Sequence, residues 1–168
     1  MKKILAILAL STAFAASATT VTVGFTDNKS SSNTTSVALS QITPLGVIDG
    51  KLNGTNTGAY SGYEVGYSLT TKVFGLTLTP RTFAGDAPNG KFIGVSGSVA
   101  APIAPSVSVF AQYGIRKFVD SSSAATERQT DVGVKYDLTK NWATSIAYQR
   151  TDSGPVKNGV GLSVSYSF

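Results

Sequence analysis

The stretch that most constrains the fold is the last one, NGVGLSVSYSF, which alternates strictly to its final residue. Side chains of an extended strand point in turn to opposite faces. Val160, Leu162, Val164, Tyr166 and Phe168 therefore share one face, and Gly161, Ser163, Ser165 and Ser167 share the other. Terminal residues fray unless they are tied down. A closing Phe in register with four apolar residues predicts a strand pinned to its end, with its apolar face covered by a protein core or by lipid.

The same period-two alternation recurs about every 15 residues, broken by Asn, Gly, Ser, Pro and Asp clusters, which is the pattern of an all-β meander. Strands are expected near 20–27, 35–43, 46–53, 59–70, 73–84, 91–101, 105–118, 128–138, 142–151 and 159–168. A one-residue slip would invert every side chain, so the turns test whether neighbouring strands agree on a face. A turn at Thr71-Lys72 sets Leu69 against Phe74, Tyr67 against Leu76 and Val65 against Leu78, with Glu64 facing Thr79 on the other side. A turn at 139–141 sets Leu138 against Trp142, Val134 against Ile146 and Val132 against Tyr148. Pro44-Leu45 pairs Leu39 with Gly50, Val37 with Leu52 and Gln41 with Ile48, and Pro102-Ile103-Ala104 brings Val99 to Val107. All four hairpins agree on one apolar face.

The opposite face decides the architecture. It includes Gly62, Glu64, Gly66 and Ser68, then Gly75, Thr77, Thr79 and Arg81, then Gly94, Ser96 and Ser98, then Ser106, Ser108, Gln112 and Arg116. Such a face is no dry core. Unpartnered buried charges cost several kcal/mol, and Gly/Ser rows bury too little apolar area, at about 25 cal/mol per Å², to offset chain entropy. If the apolar face meets lipid, the sheet must close on itself, because open edges leave backbone groups unsatisfied there. Strands of about 9–11 residues suit a tilted crossing. Trp142 and Phe74 lie by the short turns while Tyr63, Tyr113 and Tyr148 lie further along, as two interfacial aromatic girdles would. The expectation is a closed antiparallel up-and-down transmembrane β-barrel of ten strands. Eight remain if Asn28 to Thr57 is one surface loop, although a structureless loop of that length is uncommon. Pro80, lacking a ladder donor, is expected to mark a bulge.

The first 18 residues read as a secretory signal peptide: Lys2 and Lys3, an apolar run from Ile4 to Leu10, then small residues with cleavage after Ala18. Residues 19–168 then form one barrel domain. Removing the two lysines lowers the formal charge from +5 to +3, and the remaining basic residues are scattered, without the clustered stripe of a nucleic-acid binder. Charged residues make up 14% of the chain, which is low for a soluble domain.

The signal peptide, the two-faced meander and the ending VSYSF resemble small bacterial outer-membrane β-barrel proteins of the porin and opacity-protein type, whose last strand finishes on Phe after alternating apolar residues. The resemblance implies an outer-membrane location with lipid and lipopolysaccharide as surroundings. It also implies that Leu162, Val164, Tyr166 and Phe168 are the address read by the outer-membrane assembly machinery. Enzymes of this architecture resemble one another in using a histidine, and this chain has neither histidine nor cysteine. No enzymatic role, cofactor or metal is expected.

Inward parity collects Asp49, Lys51, Glu64, Arg81, Arg116, Asp131, Lys135 and Asp137, with Gln112 and Gln149, four charges of each sign. Arg116 is expected beside Asp131, and Arg81 diagonal to Glu64. Phe83, Phe92 and Phe110 share this parity and would fill space. The network reads either as the constriction of a narrow porin-like channel for small solutes or ions, or as a structural lattice in an envelope-stabilising barrel. A surface-binding barrel acting through loops near 28–34, 54–58, 85–90, 119–127 and 152–158 is the alternative. A soluble periplasmic barrel holding an apolar ligand is a third reading.

Overall fold

The computed structural model describes residues 19–28, 33–55, 60–120, 126–152 and 158–168. The expected signal peptide and most of the predicted loop tips lie outside them. The strands are β1 Thr19–Asn28, β2 Thr34–Thr43, β3 Gly46–Thr55, β4 Tyr60–Ser68, β5 Thr71–Val73 and β6 Leu76–Ala87, followed by β7 Gly90–Ala104, β8 Val107–Phe118, β9 Thr126–Asp137, β10 Trp142–Thr151 and β11 Asn158–Ser167. Each pairs antiparallel with its neighbours, β1 pairs with β11, and β4 pairs with β6. β4 and β5 form one interrupted stave, since Ser68 faces Arg81 and Thr71 faces Leu78 in a single continuous register. The result is a closed barrel of ten staves, and residues 34–55 form a hairpin rather than part of a long loop.

The apolar face is the outer one. Ile93, Val132 and Leu162 are 56%, 54% and 55% exposed, whereas the few buried apolar side chains among the described residues, Phe92, Phe118 and Ala147, point inward. β11 runs to Ser167 between β1 and β10, so both of its edges are paired. That pairing pins the last strand.

Two of the four turns stand where the alternation places them. At Pro44-Leu45 the Thr43 hydroxyl donates to the Gly46 carbonyl at 2.8 Å. At 139–141 the Thr139 hydroxyl accepts from the Asn141 and Trp142 amides at 3.2 and 3.0 Å, and Val134 faces Ile146 as expected. The other two turns are displaced. The hairpin expected at Thr71-Lys72 turns at Phe74-Gly75, so Tyr67 faces Thr82 and Val65 faces Ala84. Phe74 (φ 50°) and Gly75 (φ 80°) both have positive φ, the backbone of the tight hairpin turn whose twist matches that of the strands. The turn expected at Pro102-Ile103-Ala104 lies at Pro105-Ser106, and Val99 faces Ala111, not Val107; the strand irregularity sits between Pro102 and Ala104. Both displacements are by an even number of residues in register, so the face of every side chain survives.

Pro80 makes no bulge. Its register with Gly97 on β7 is regular. On its other side Pro80 accepts from the Leu69 amide at 3.1 Å and, having no N–H, cannot return the bond. That missing rung coincides with the gap between β4 and β5.

Positive φ is unfavourable for a residue with a Cβ, by roughly 1–2 kcal/mol, and the Phe74 side chain is fully exposed. Phe74→Asn restores the Asn-Gly pair that such turns favour. It is expected to stabilise the barrel by up to about 1 kcal/mol, read as a raised urea midpoint of the refolded chain in detergent; an unchanged or lowered midpoint would count against the strain.

Candidate functional site

Ten staves leave an interior only a little wider than side chains can fill, so the inward residues decide what space remains. Among the described residues, cavities of about 300 and 610 Å³ occupy it. They meet at a waist where both are lined by Lys51, Glu64, Arg116, Glu127, Gln129 and Asp131.

One side of the waist is an arginine held between two acids. Arg81 on β6 reaches across β4 to Asp49 on β3, with Nε–Oδ1 at 2.8 Å and Nη2–Oδ2 at 2.5 Å, and its Nη1 lies 2.6 Å from Glu64 Oε1. Its guanidinium also lies over the Phe83 ring, 4.8 Å from the centroid. Further round, Arg116 Nη2 donates to Glu127 Oε1 at 2.5 Å. Arg116 packs against Phe92 and Phe118 with centroid distances of 5.0 and 5.5 Å. Asp131 accepts from the Gln129 amide at 3.0 and 2.9 Å. Arg116 therefore pairs with Glu127, its register partner, and not with Asp131, which faces Gln112.

Glu127 is the waist residue that the strand pattern misses. Placing it in the 119–127 loop hides it, whereas β9 begins at Thr126 and puts Glu127 on the parity of Asp131. Continuing that parity two steps toward the N-terminus is the signal that could have found it. The waist thus holds Lys51, Arg81 and Arg116 against Asp49, Glu64, Glu127 and Asp131, one acid more than bases. Lys135 and Asp137 pair with each other at 2.8 Å near the short-turn end and line neither cavity.

Glycines give the large inward groups their places. A Cβ on Gly94 would run into Phe83, one on Gly85 would lie 2.7 Å from Phe92, one on Gly133 2.7 Å from Phe110, and one on Gly66 2.5 Å from the Arg81 guanidinium. The register puts Phe83 between Gly66 and Gly94, and Phe110 beside Gly133. Phe83, Phe92 and Phe118 stack edge to face with centroids 6.2 and 5.8 Å apart, favourable geometry for aromatic pairs. Rings and arginines thus fill the wall of β6, β7 and β8. The facing wall of β1, β10 and β11 is lined by small residues whose hydroxyls pair across staves: Thr20 with Ser167 and Thr22 with Ser165, both at 2.9 Å, and Ser145 with Ser163 at 2.7 Å.

On the outer surface Tyr63, Tyr113 and Tyr148 are exposed toward the loop end, and the Tyr148 hydroxyl donates to Asn158 at 3.1 Å. Toward the short turns Trp142, Tyr166 and Phe168 form a ladder with successive centroids 4.8 Å apart. Tyr136 joins that end, outward and opposite Thr144. Phe74 stands at its turn tip, and Leu162 and Val164 complete the outer face of β11 between β1 and β10.

No family model matches the sequence, and no curated protein matches it either. Solved structures do match. The KdgM porin, solved in complex with disordered oligogalacturonate, aligns with a TM-score of 0.57 over 89% of this chain and 99% of its own, at 13% identity. The NanC porin aligns with a TM-score of 0.57 over 89% of this chain and all of its own, at 12% identity. At such identities the likeness is one of fold, and it extends over nearly the full length of both partners. Taken with the ten-stave closure and the outward apolar face, it makes this chain a small β-barrel with the porin-like fold of outer-membrane proteins.

Proposed function

We propose that the chain is a bacterial outer-membrane barrel that works as a narrow, non-enzymatic channel. The observation that carries this reading is the pair of cavities meeting at a waist of ion pairs, inside a wall whose aliphatic side chains are exposed on its outer face. Lipid would solvate that outer face, with the aromatic ends of the staves at the headgroups, and lipopolysaccharide would surround the loop end. The assembly machinery would read the last strand through Leu162, Val164, Tyr166 and Phe168. Residues 1–18 would direct export across the inner membrane and be cleaved off after Ala18.

A purely structural, closed barrel is the second reading, favoured by one observation: Phe92 and Phe118 are 3% exposed and fill one wall of the lumen. The surface-binding alternative gains no such support. Its predicted tip at 85–90 is a two-residue turn at Pro88-Asn89, and its other tips fall largely outside the described residues.

Refolded chain on an unheated detergent gel is expected to migrate as a compact band that shifts on boiling. In planar bilayers it is expected to give discrete conductance steps. Compact migration without any steps would leave the structural reading; recovery in a detergent-free soluble fraction would remove the membrane barrel altogether.

A further inference from the structure

We propose that the passage through the waist runs off the barrel axis, between Lys51 and Asp131 along the small-residue wall, and that it prefers small cations. The proposal rests on the channel reading and names its solute class.

Position comes from what is already occupied. The guanidinium groups of Arg81 and Arg116 are each held by carboxylates within 2.8 Å and backed by phenyl rings, so the β6 to β8 side is filled. Across the lumen, Thr22 on β1 and Ala38 on β2 line both cavities and carry no bulk into them. Lys51 on β3 and Asp131 on β9 also line both, from opposite sides of that open strip. Among the described residues Lys51 is the waist cation with no carboxylate at ion-pairing distance, and Asp131, hydrogen-bonded by the neutral Gln129 amide, feels Lys51 only through space.

Sign comes from the same inventory. Asp49 and Glu64 share one guanidinium, and Asp131 has only Lys51 across the strip, so three cations face four carboxylates. An entering cation meets carboxylates not fully neutralised, with side-chain hydroxyls able to replace part of its hydration shell. An anion finds both arginines taken and Lys51 opposed by Asp131. Rings of acidic side chains select cations in the same way.

The chain has no cysteine of its own, so Ala38→Cys provides a single reactive site on the open strip. Bilayer recordings under a KCl gradient are expected to reverse on the potassium side. A thiol-reactive ammonium reagent is expected to cut the conductance of the Ala38→Cys barrel and leave the unsubstituted one alone. Asp131→Asn should move the potassium-to-chloride permeability ratio toward unity, and Lys51→Gln should raise it. Chloride preference in the unsubstituted barrel, or full modification of Cys at position 38 with unchanged conductance, would overturn this inference while the channel stands. An absence of conductance would overturn both together.

Discussion

Ile146→Arg is expected to cost the lipid-inserted barrel roughly 2–4 kcal/mol, the range for a cationic side chain on the lipid face near the bilayer midplane. Ile146 lies mid-stave on β10, opposite Val134 and Leu162, and is half exposed on the outer face. The informative comparison is one residue away. Ser145 points into the lumen, facing Lys135 on one side and Ser163 on the other, and an arginine there enters an aqueous, polar space. Urea midpoints of chain refolded in lipid vesicles should therefore fall far more for Ile146→Arg than for Ser145→Arg. Equal losses, or the reverse order, would mean that lipid does not bathe the aliphatic face, and the membrane assignment would fail with it.

Arg116→Ala is expected to cost about 3 kcal/mol, the lower end of the range for removing one partner of a buried ion pair. The low end applies because Arg116 keeps contact with the cavity, its side chain being 28% exposed, whereas that of Glu127 is 6% exposed. The substitution strips Glu127 of its cation and removes the guanidinium from Phe92 and Phe118. Most of the loss is the cost of an uncompensated carboxylate, so Arg116→Ala combined with Glu127→Ala should be more stable than Arg116→Ala alone. A double-mutant cycle in equilibrium unfolding measures this directly. Purely additive losses would show that the two side chains do not interact, and the waist would have to be redrawn.

The even-numbered register displacements at Phe74-Gly75 and Pro105-Ser106 show where reading from the chain stops. Alternation reports only parity, and a slip of two residues leaves every side chain on its face, so Leu69 against Phe74 and the observed Ser68 against Arg81 satisfy the pattern equally. Turn stereochemistry is what separates them, and at Phe74-Gly75 it depends on two successive positive φ values. Where a side chain secures the turn locally, as Thr139 and Thr43 do, the expected register stands. Partner choice in the waist suffers from the same blindness. Arg116 and Asp131 share the inward parity, but which acid meets Arg116 depends on how many residues the 119–127 connection consumes. Starting β9 at Thr126 hands the arginine to Glu127.

What the amino-acid order determined unaided was the two-sidedness of the wall, its closure, the even number of staves and the inward parity of the ionic and phenylalanine side chains. Each of these follows from a repeat of two and from the inability of a Gly/Ser/Thr face to serve as a dry core. What only the tertiary structure decided was depth: which inward groups meet at one height, which glycine receives which ring, and that rings and arginines crowd one wall and leave the other clear. Height depends on the stagger accumulated around ten staves, a sum over every turn, so one displaced hairpin re-partners the charges without turning a single side chain to the other face.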